Sequence, residues 1–163
     1  MQLPNQPYVV IVDDQPAAAL SLQASIADQQ LSLLRNLSYA CDRVSSVADL
    51  ERQLGLYPPQ SIRLMVVDYA MVGRTPLHVI YRLRTSRTLH PALHPEALLI
   101  GWSAYEDVDS LFRSVGFDGF ISKHLDQRDV AQAIEWIYQQ RLHGAGWTSV
   151  GLPVPWAKSS LIA

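Results

Sequence analysis

The sequence predicts an α/β protein with a doubly wound, five-stranded parallel sheet and helices on both of its faces. Short apolar runs without polar alternation, typical of parallel strands buried on both faces, alternate along the chain with segments of helical periodicity. The length of 163 residues, the 48% hydrophobic content and the net charge of -2 fit one globular domain. The composition therefore supplies one hydrophobic core and gives no sign of disorder.

Five segments are predicted as strands, and three of them are continuous apolar runs followed at once by polar residues. The second strand in chain order is less apolar, which places it nearer an edge of the sheet. The fifth strand is short. The predicted strands are residues 8–12, 37–44, 64–67, 97–100 and 119–121.

Helices are predicted where apolar residues recur at intervals of three and four. These segments are residues 17–34, 47–56, 77–84, 108–115 and 127–141. Asp126 is the predicted N-cap of the last helix, and Gly144 and Gly146 mark its end. We therefore expect an N-terminal extension over residues 1–7, one domain over 8–143, and a flexible tail or linker over 144–163, where helical periodicity is lost.

Charge and cysteine content exclude several classes of protein. The 13 Lys and Arg residues are balanced by 15 Asp and Glu residues, so nonspecific binding to nucleic acid is not expected of this segment. The single cysteine, Cys41, rules out an internal disulfide framework and suits a reducing compartment. No signal peptide or membrane-spanning run is recognisable, so we expect a cytoplasmic protein without membrane contact.

Polar residues follow the predicted strands at the points where the strands end. Asp13 and Asp14 follow the first strand, Asp68 the third, Ser103 the fourth and Lys123 the fifth. Carboxyl ends of parallel strands meet at one edge of the sheet, where ligands bind in open α/β folds. Each residue alone fits a helix cap, a turn or a surface charge, but their shared position favours a common site. Three clustered carboxylates require a cation, and oxygen ligands suit Mg²⁺.

These residues lie in segments that resemble the response-regulator receiver domain of bacterial two-component signalling. The resemblance covers about residues 8–143 and implies a flavodoxin-like receiver fold. The most specific matching segment is residues 116–123, in which a turn containing glycine is followed by a short strand and then by Lys123. The matching segments are VVIVDDQP at 9–16, LMVVDYAM at 64–71, IGWSA at 100–104 and GFDGFISK at 116–123.

The resemblance implies that Asp68 is the nucleophile and the phosphorylation site. Ser103 and Lys123 would contact the phosphoryl oxygens, which makes these three the catalytic residues, while Ser103 and Phe120 would be the switch residues. A carboxylate with an ordinary pKa is ionised at pH 7, so no general base is needed. The chain is accordingly expected to be a signalling phosphoprotein and not an enzyme.

The resemblance also implies a Mg²⁺ site. Asp14 would bind the ion directly, and Asp13 would bind it through a coordinated water. Asp68 and the backbone carbonyl of Ala70 would complete the protein ligands. Mg²⁺ is the only cofactor that we expect.

The expected phosphoryl donor is a histidine kinase or a histidine phosphotransferase, and the expected output is binding to a downstream protein or self-dimerisation. Two alternatives remain open. In the first, the chain is a receiver fragment of a longer DNA-binding transcription regulator. In the second, it is a receiver-like interaction or dimerisation module that acts without phosphorylation. The full acidic set argues against the second alternative. Val72, Pro76 and His124 argue for it, because many receivers have proline, glycine and proline at the corresponding positions.

Overall fold

The computed structural model describes residues 6–69, 81–84 and 89–160. A parallel sheet with the strand order β2-β1-β3-β4-β5-β6 forms its centre. The strands are β1 Tyr8–Val12, β2 Ala40–Val44, β3 Ile62–Asp68, β4 Leu93–Ser103, β5 Gly119–Ser122 and β6 Thr148–Val150. The predicted fold class is therefore confirmed, with one strand more than expected.

Five α-helices and two short 3₁₀ turns connect the strands in the described part of the chain. The helices are α1 Pro16–Gln29, α2 Val47–Leu54, α3 Asp109–Ser114, α4 Gln127–Leu142 and α5 Pro155–Ser160. The 3₁₀ turns are Ser32–Leu34 and Glu106–Val108. No helix among the described residues is long and apolar enough to cross a lipid bilayer.

Two apolar clusters cover the two faces of the sheet. In β1, Val9 and Ile11 belong to the cluster beneath α1 and α4, whereas Val10 and Val12 belong to the cluster beneath α2 and α3. Successive side chains of a strand point to opposite faces, so a strand covered on both faces has no polar position. This arrangement explains why β1 is apolar throughout and fully buried.

The predicted helix over residues 17–34 is shorter than expected. It ends at Gln29, because Gln30 adopts a left-handed conformation with φ of 46°, and a 3₁₀ turn follows. The prediction of a helix over 77–84 falls partly outside the described residues. Residues 81–84 form a turn, and Arg84 makes an isolated bridge with Leu89.

The start of α4 agrees with the prediction. The carboxylate of Asp126 accepts a hydrogen bond from the backbone N–H of Arg128, as an N-cap residue does. The expectation of an irregular segment after α4 is corrected, because Thr148–Val150 adds β6 to the sheet and Pro155–Ser160 forms α5. The boundaries proposed for the extension, the domain and the tail stay predictions.

Candidate functional site

Three carboxylates lie together at the carboxyl ends of two neighbouring strands. Asp13 and Asp14 directly follow β1, and Asp68 is the last residue of β3. β1 and β3 pair in parallel with Val12 opposite Val67, so both strands end at the same level. One carboxylate oxygen from each of the three aspartates lies within 4.8 Å of the others. These oxygens form a donor set that fits a hard divalent cation.

Lys123 provides the positive charge at this cluster. It follows β5 directly, and its Nζ lies 2.8 Å from Asp13 Oδ2 and 3.5 Å from Asp68 Oδ2. The side chains of Asp13 and Asp68 are 0% and 6% exposed, so solvent screens these interactions weakly. The ammonium group therefore offsets part of the repulsion between the carboxylates.

The two oxygens of Asp13 are both engaged by the protein. Oδ1 accepts a hydrogen bond of 2.8 Å from the backbone N–H of Gln15, and Oδ2 accepts one from Lys123 Nζ. Asp14 is only partly buried. The roles predicted for these two residues, direct metal binding by Asp14 and binding through a coordinated water by Asp13, stay predictions.

Ser103 is the last residue of β4 and is buried at the same edge. Its Oγ accepts a hydrogen bond from the backbone N–H of Tyr105, and its carbonyl oxygen accepts one from the N–H of Lys123. The second bond joins the end of β4 to the end of β5. The loops after these strands are joined again, because His124 Nε2 lies 3.0 Å from the carbonyl oxygen of Ala104.

The structure also shows a site residue that the sequence analysis missed. Trp102 is 6% exposed, and the ammonium of Lys123 lies 4.6 Å from the centroid of its ring. Its indole Nε1 is buried without a hydrogen-bond partner among the described residues. The sequence shows that an aromatic residue, Trp102, directly precedes Ser103 near the site. It does not show that the Lys123 ammonium lies over the indole ring.

Other residues named in the sequence analysis lie in the core, outside the described residues, or next to the site. Phe120 is buried on β5, 6.1 Å from the Phe112 ring. Ala70, the predicted source of a carbonyl ligand, lies outside the described residues, as do Val72 and Pro76. The peptide bond between Lys123 and His124 is trans, since the cis bond in the described part of the chain precedes Pro153.

Cys41 is not a candidate nucleophile. Burial raises the pKa of its thiol to about 11. At neutral pH it is therefore a protonated thiol and a poor nucleophile.

Comparison with solved structures shows many similar folds among response regulators. The chemotaxis response regulator CheY4 of Vibrio cholerae is 10% identical, with a TM-score of 0.60 over 81% of this chain and 98% of the other. A CheY-like receiver domain protein from Methanospirillum hungatei JF-1 is 16% identical, with a TM-score of 0.59 over 85% of this chain and 99% of the other.

A third similar structure is a response regulator of Burkholderia pseudomallei with a phosphorylated aspartic acid, a calcium ion and citrate. It is 14% identical, with a TM-score of 0.60 over 85% of this chain and 72% of the other. No protein-family model matches the sequence, and no curated protein matches it significantly. The comparisons therefore establish that this chain has the fold of response-regulator receiver domains.

Proposed function

We propose that this chain is a phosphoryl-accepting receiver domain of a two-component response regulator, phosphorylated on Asp68. The observation that carries this proposal is the position of the Lys123 ammonium, which lies beside both Asp13 and Asp68 in a cluster of three carboxylates. A partly buried lysine beside two carboxylates at a ligand-binding edge fits a site that binds a negatively charged group. The similarity in fold to a response regulator with a phosphorylated aspartic acid supports the same function.

The proposed reaction is an in-line transfer to an oxygen of Asp68. A new O–P bond forms as the N–P bond of a phosphohistidine donor breaks, and the leaving imidazole nitrogen keeps the electron pair and takes up a proton. The phosphoryl group needs charge stabilisation and alignment more than covalent assistance. Lys123 would stabilise its oxygens, and the hydroxyl of Ser103 would donate a hydrogen bond to them.

Asp13, Asp14 and Asp68 would hold Mg²⁺, with Ala70 as a further ligand by resemblance. When bound, the ion supplies positive charge beside the transferred group. The chemistry of the donor set fits this ion, because all of the side-chain donors are carboxylate oxygens. By resemblance, Asp14 and Asp68 would coordinate the ion directly, and Asp13 would act through a coordinated water.

A histidine kinase or histidine phosphotransferase is the proposed donor, and a downstream protein or a second copy of the chain is the proposed partner. The phosphoryl group stays on the chain, so the proposal describes a signalling protein and not an enzyme that turns over a free substrate. We also propose that the protein is cytoplasmic, because its single cysteine, Cys41, is a free thiol and suits a reducing compartment.

The test is incubation with acetyl phosphate and Mg²⁺, followed by intact-mass analysis. Acetate is the leaving group in this reaction, and the adduct is expected to be stable in acid and labile in base. We expect one phosphoryl adduct on the wild-type chain and on Asp28→Asn, a control at an exposed aspartate of α1. No adduct is expected on Asp68→Asn. An equal adduct on Asp68→Asn would contradict the assignment.

A receiver-like module that acts without phosphorylation is the second candidate. The hydrogen bond between His124 and Ala104 favours it, because this bond ties together the loops after β4 and β5 beside the cluster. This candidate predicts that the wild-type chain gains no mass with acetyl phosphate and does not bind beryllofluoride with Mg²⁺.

A further inference from the structure

The β5 edge of the sheet is covered by the chain's own C-terminal segment. We name residues 146–157 the strap. Its β6 strand pairs in parallel with β5, with Gly119 opposite Thr148 and Phe120 opposite Ser149. The backbone N–H of Thr148 also donates to the carbonyl oxygen of Asp118, just before β5 begins. An edge strand with unpaired backbone groups is a template for pairing, and here the strap takes that position.

Apolar contacts hold the strap in place. Val150 is fully buried and Val154 is 9% exposed, and both belong to the apolar cluster beneath α1 and α4. Trp156 packs on Trp136 of α4, with ring centroids 6.1 Å apart. The strap is thus an integral part of the packed structure.

The fit between the strap and β5 is tight. A Cβ atom added at Gly119 would lie 2.6 Å from the carbonyl oxygen of Thr148 and 2.8 Å from the side chain of Ile137. A small shift of β5 toward β6 at Gly119 would therefore be opposed by steric contact with the backbone of β6.

β5 also connects the strap to the acidic cluster. It lies between β4 and β6, and Lys123 follows its last residue. With the strap docked, the Lys123 ammonium is 2.8 Å from Asp13 and 3.5 Å from Asp68. A phosphoryl group on Asp68 would place new negative charge on the Asp68 side and draw the ammonium away from Asp13.

We propose that the β5 edge is an interaction surface occupied in cis by the strap, and that filling the acidic cluster loosens the strap through β5. This inference rests on the proposed function. The docked strap stabilises the position of β5 in which Lys123 binds Asp13. A phosphoryl group on Asp68 favours a position of β5 in which Lys123 has moved away from Asp13. Docking of the strap and binding of the phosphoryl group therefore oppose each other. Coupling between two sites is reciprocal, and a weaker strap therefore strengthens phosphoryl binding.

Hydrogen exchange of the amides of Thr148–Val150 tests whether filling the acidic cluster loosens the strap. Beryllofluoride with Mg²⁺ serves as the phosphoryl mimic, and binding is followed independently by tryptophan fluorescence. We expect severalfold faster exchange of these amides in the wild-type chain when the mimic is bound. We expect no change in Asp68→Asn.

The affinity for beryllofluoride tests the reciprocal effect, in which a weaker strap strengthens phosphoryl binding. Val150→Ala removes buried strap contacts, while Leu152→Ala changes a strap residue that is 60% exposed and serves as the matched control. We expect at least threefold tighter binding of the mimic by Val150→Ala and wild-type binding by Leu152→Ala.

The outcomes separate this inference from the function on which it rests. Absence of beryllofluoride binding by the wild-type chain would overturn the proposed function and the coupling together. Binding of the mimic with unchanged exchange in β6 would overturn the coupling alone. Unchanged affinity in Val150→Ala, with faster exchange in β6, would do the same.

Discussion

Lys123 is the residue on which the electrostatics of the candidate site depend. Its ammonium lies beside Asp13 and Asp68 and also over the ring of Trp102. An ion pair between buried groups gains little net energy unless other contacts hold the geometry. The backbone hydrogen bond from Lys123 to Ser103 and the indole ring provide those contacts.

The effect of Trp102 on Lys123 can be measured with two substitutions. Trp102→Phe keeps an aromatic face for the ammonium, whereas Trp102→Leu keeps only apolar packing. A cation–π contact is worth about 0.5 to 2 kcal/mol, so we expect Trp102→Leu to slow phosphorylation by acetyl phosphate about twofold to thirtyfold. Trp102→Phe should recover much of the rate. Equal rates in the two variants, at matched thermal stability, would argue that the indole only fills space.

The acidic cluster predicts a specific metal dependence at Asp14. Asp14→Ala removes one of three carboxylates, so we expect at least tenfold weaker Mg²⁺ binding, or about 1.4 kcal/mol. Titration of Mg²⁺ against tryptophan fluorescence is the measurement. Asp28→Ala, at an exposed aspartate, is the control and should bind as the wild-type chain does. An unchanged affinity in Asp14→Ala would remove this residue from the metal site.

At the scale of elements, the packing of α3 on β4 depends on a glycine. A Cβ atom added at Gly101 would lie 2.4 Å from the ring of Phe112, and Phe112 is fully buried. This helix is therefore seated directly on the backbone of the strand that carries Ser103.

Gly101→Ala tests that packing. Overpacking a dense core costs about 1 to 3 kcal/mol, so we expect a loss of this size in the free energy of unfolding. Gly151→Ala is the matched control, because a Cβ atom there meets nothing within 4 Å. Urea unfolding of both variants is the measurement. A stability within about 0.5 kcal/mol of the wild type for Gly101→Ala would show that α3 shifts without cost.

At the scale of the whole molecule, two histidines make stability depend on pH. Burial lowers the pKa of His90 and, with the charge of Arg63, that of His94 below the ordinary value of 6.5. The Nδ1 atoms of these residues accept backbone hydrogen bonds from Ala92 and Glu96, which requires that they carry no proton.

The sign of the pH effect follows from proton binding. Below pH 6.5 the unfolded chain takes up protons on these histidines before the folded chain does, so folding stability falls as the pH is lowered. The contribution is fully present above pH 6.5. We expect His90→Asn combined with His94→Asn to have a smaller loss of thermal stability between pH 7.5 and pH 5.5, since asparagine can accept the same type of bond. An identical slope in the double variant would contradict this account.

The sequence by itself determined the fold class, the apolar strands and the grouping of the acidic residues. These features follow from local rules, because uninterrupted apolar runs indicate strands buried on both faces and parallel strands bring the residues at their ends together. It also predicted the N-cap of α4, which depends on a contact two residues along the chain. Asp13, Asp14, Asp68 and Lys123 could be assigned to one site on this basis alone.

Only the tertiary structure decided which partners these residues have. The contact of Lys123 with Trp102 joins two strands, and no local pattern specifies that a lysine lies over an indole. The same is true of the strap. Thr148–Val150 is too short to be recognised as a strand in a segment rich in glycine and proline, and it becomes one because the exposed edge of β5 supplies its hydrogen-bond partners. Pairing across the sheet, which no local pattern encodes, thus added the sixth strand.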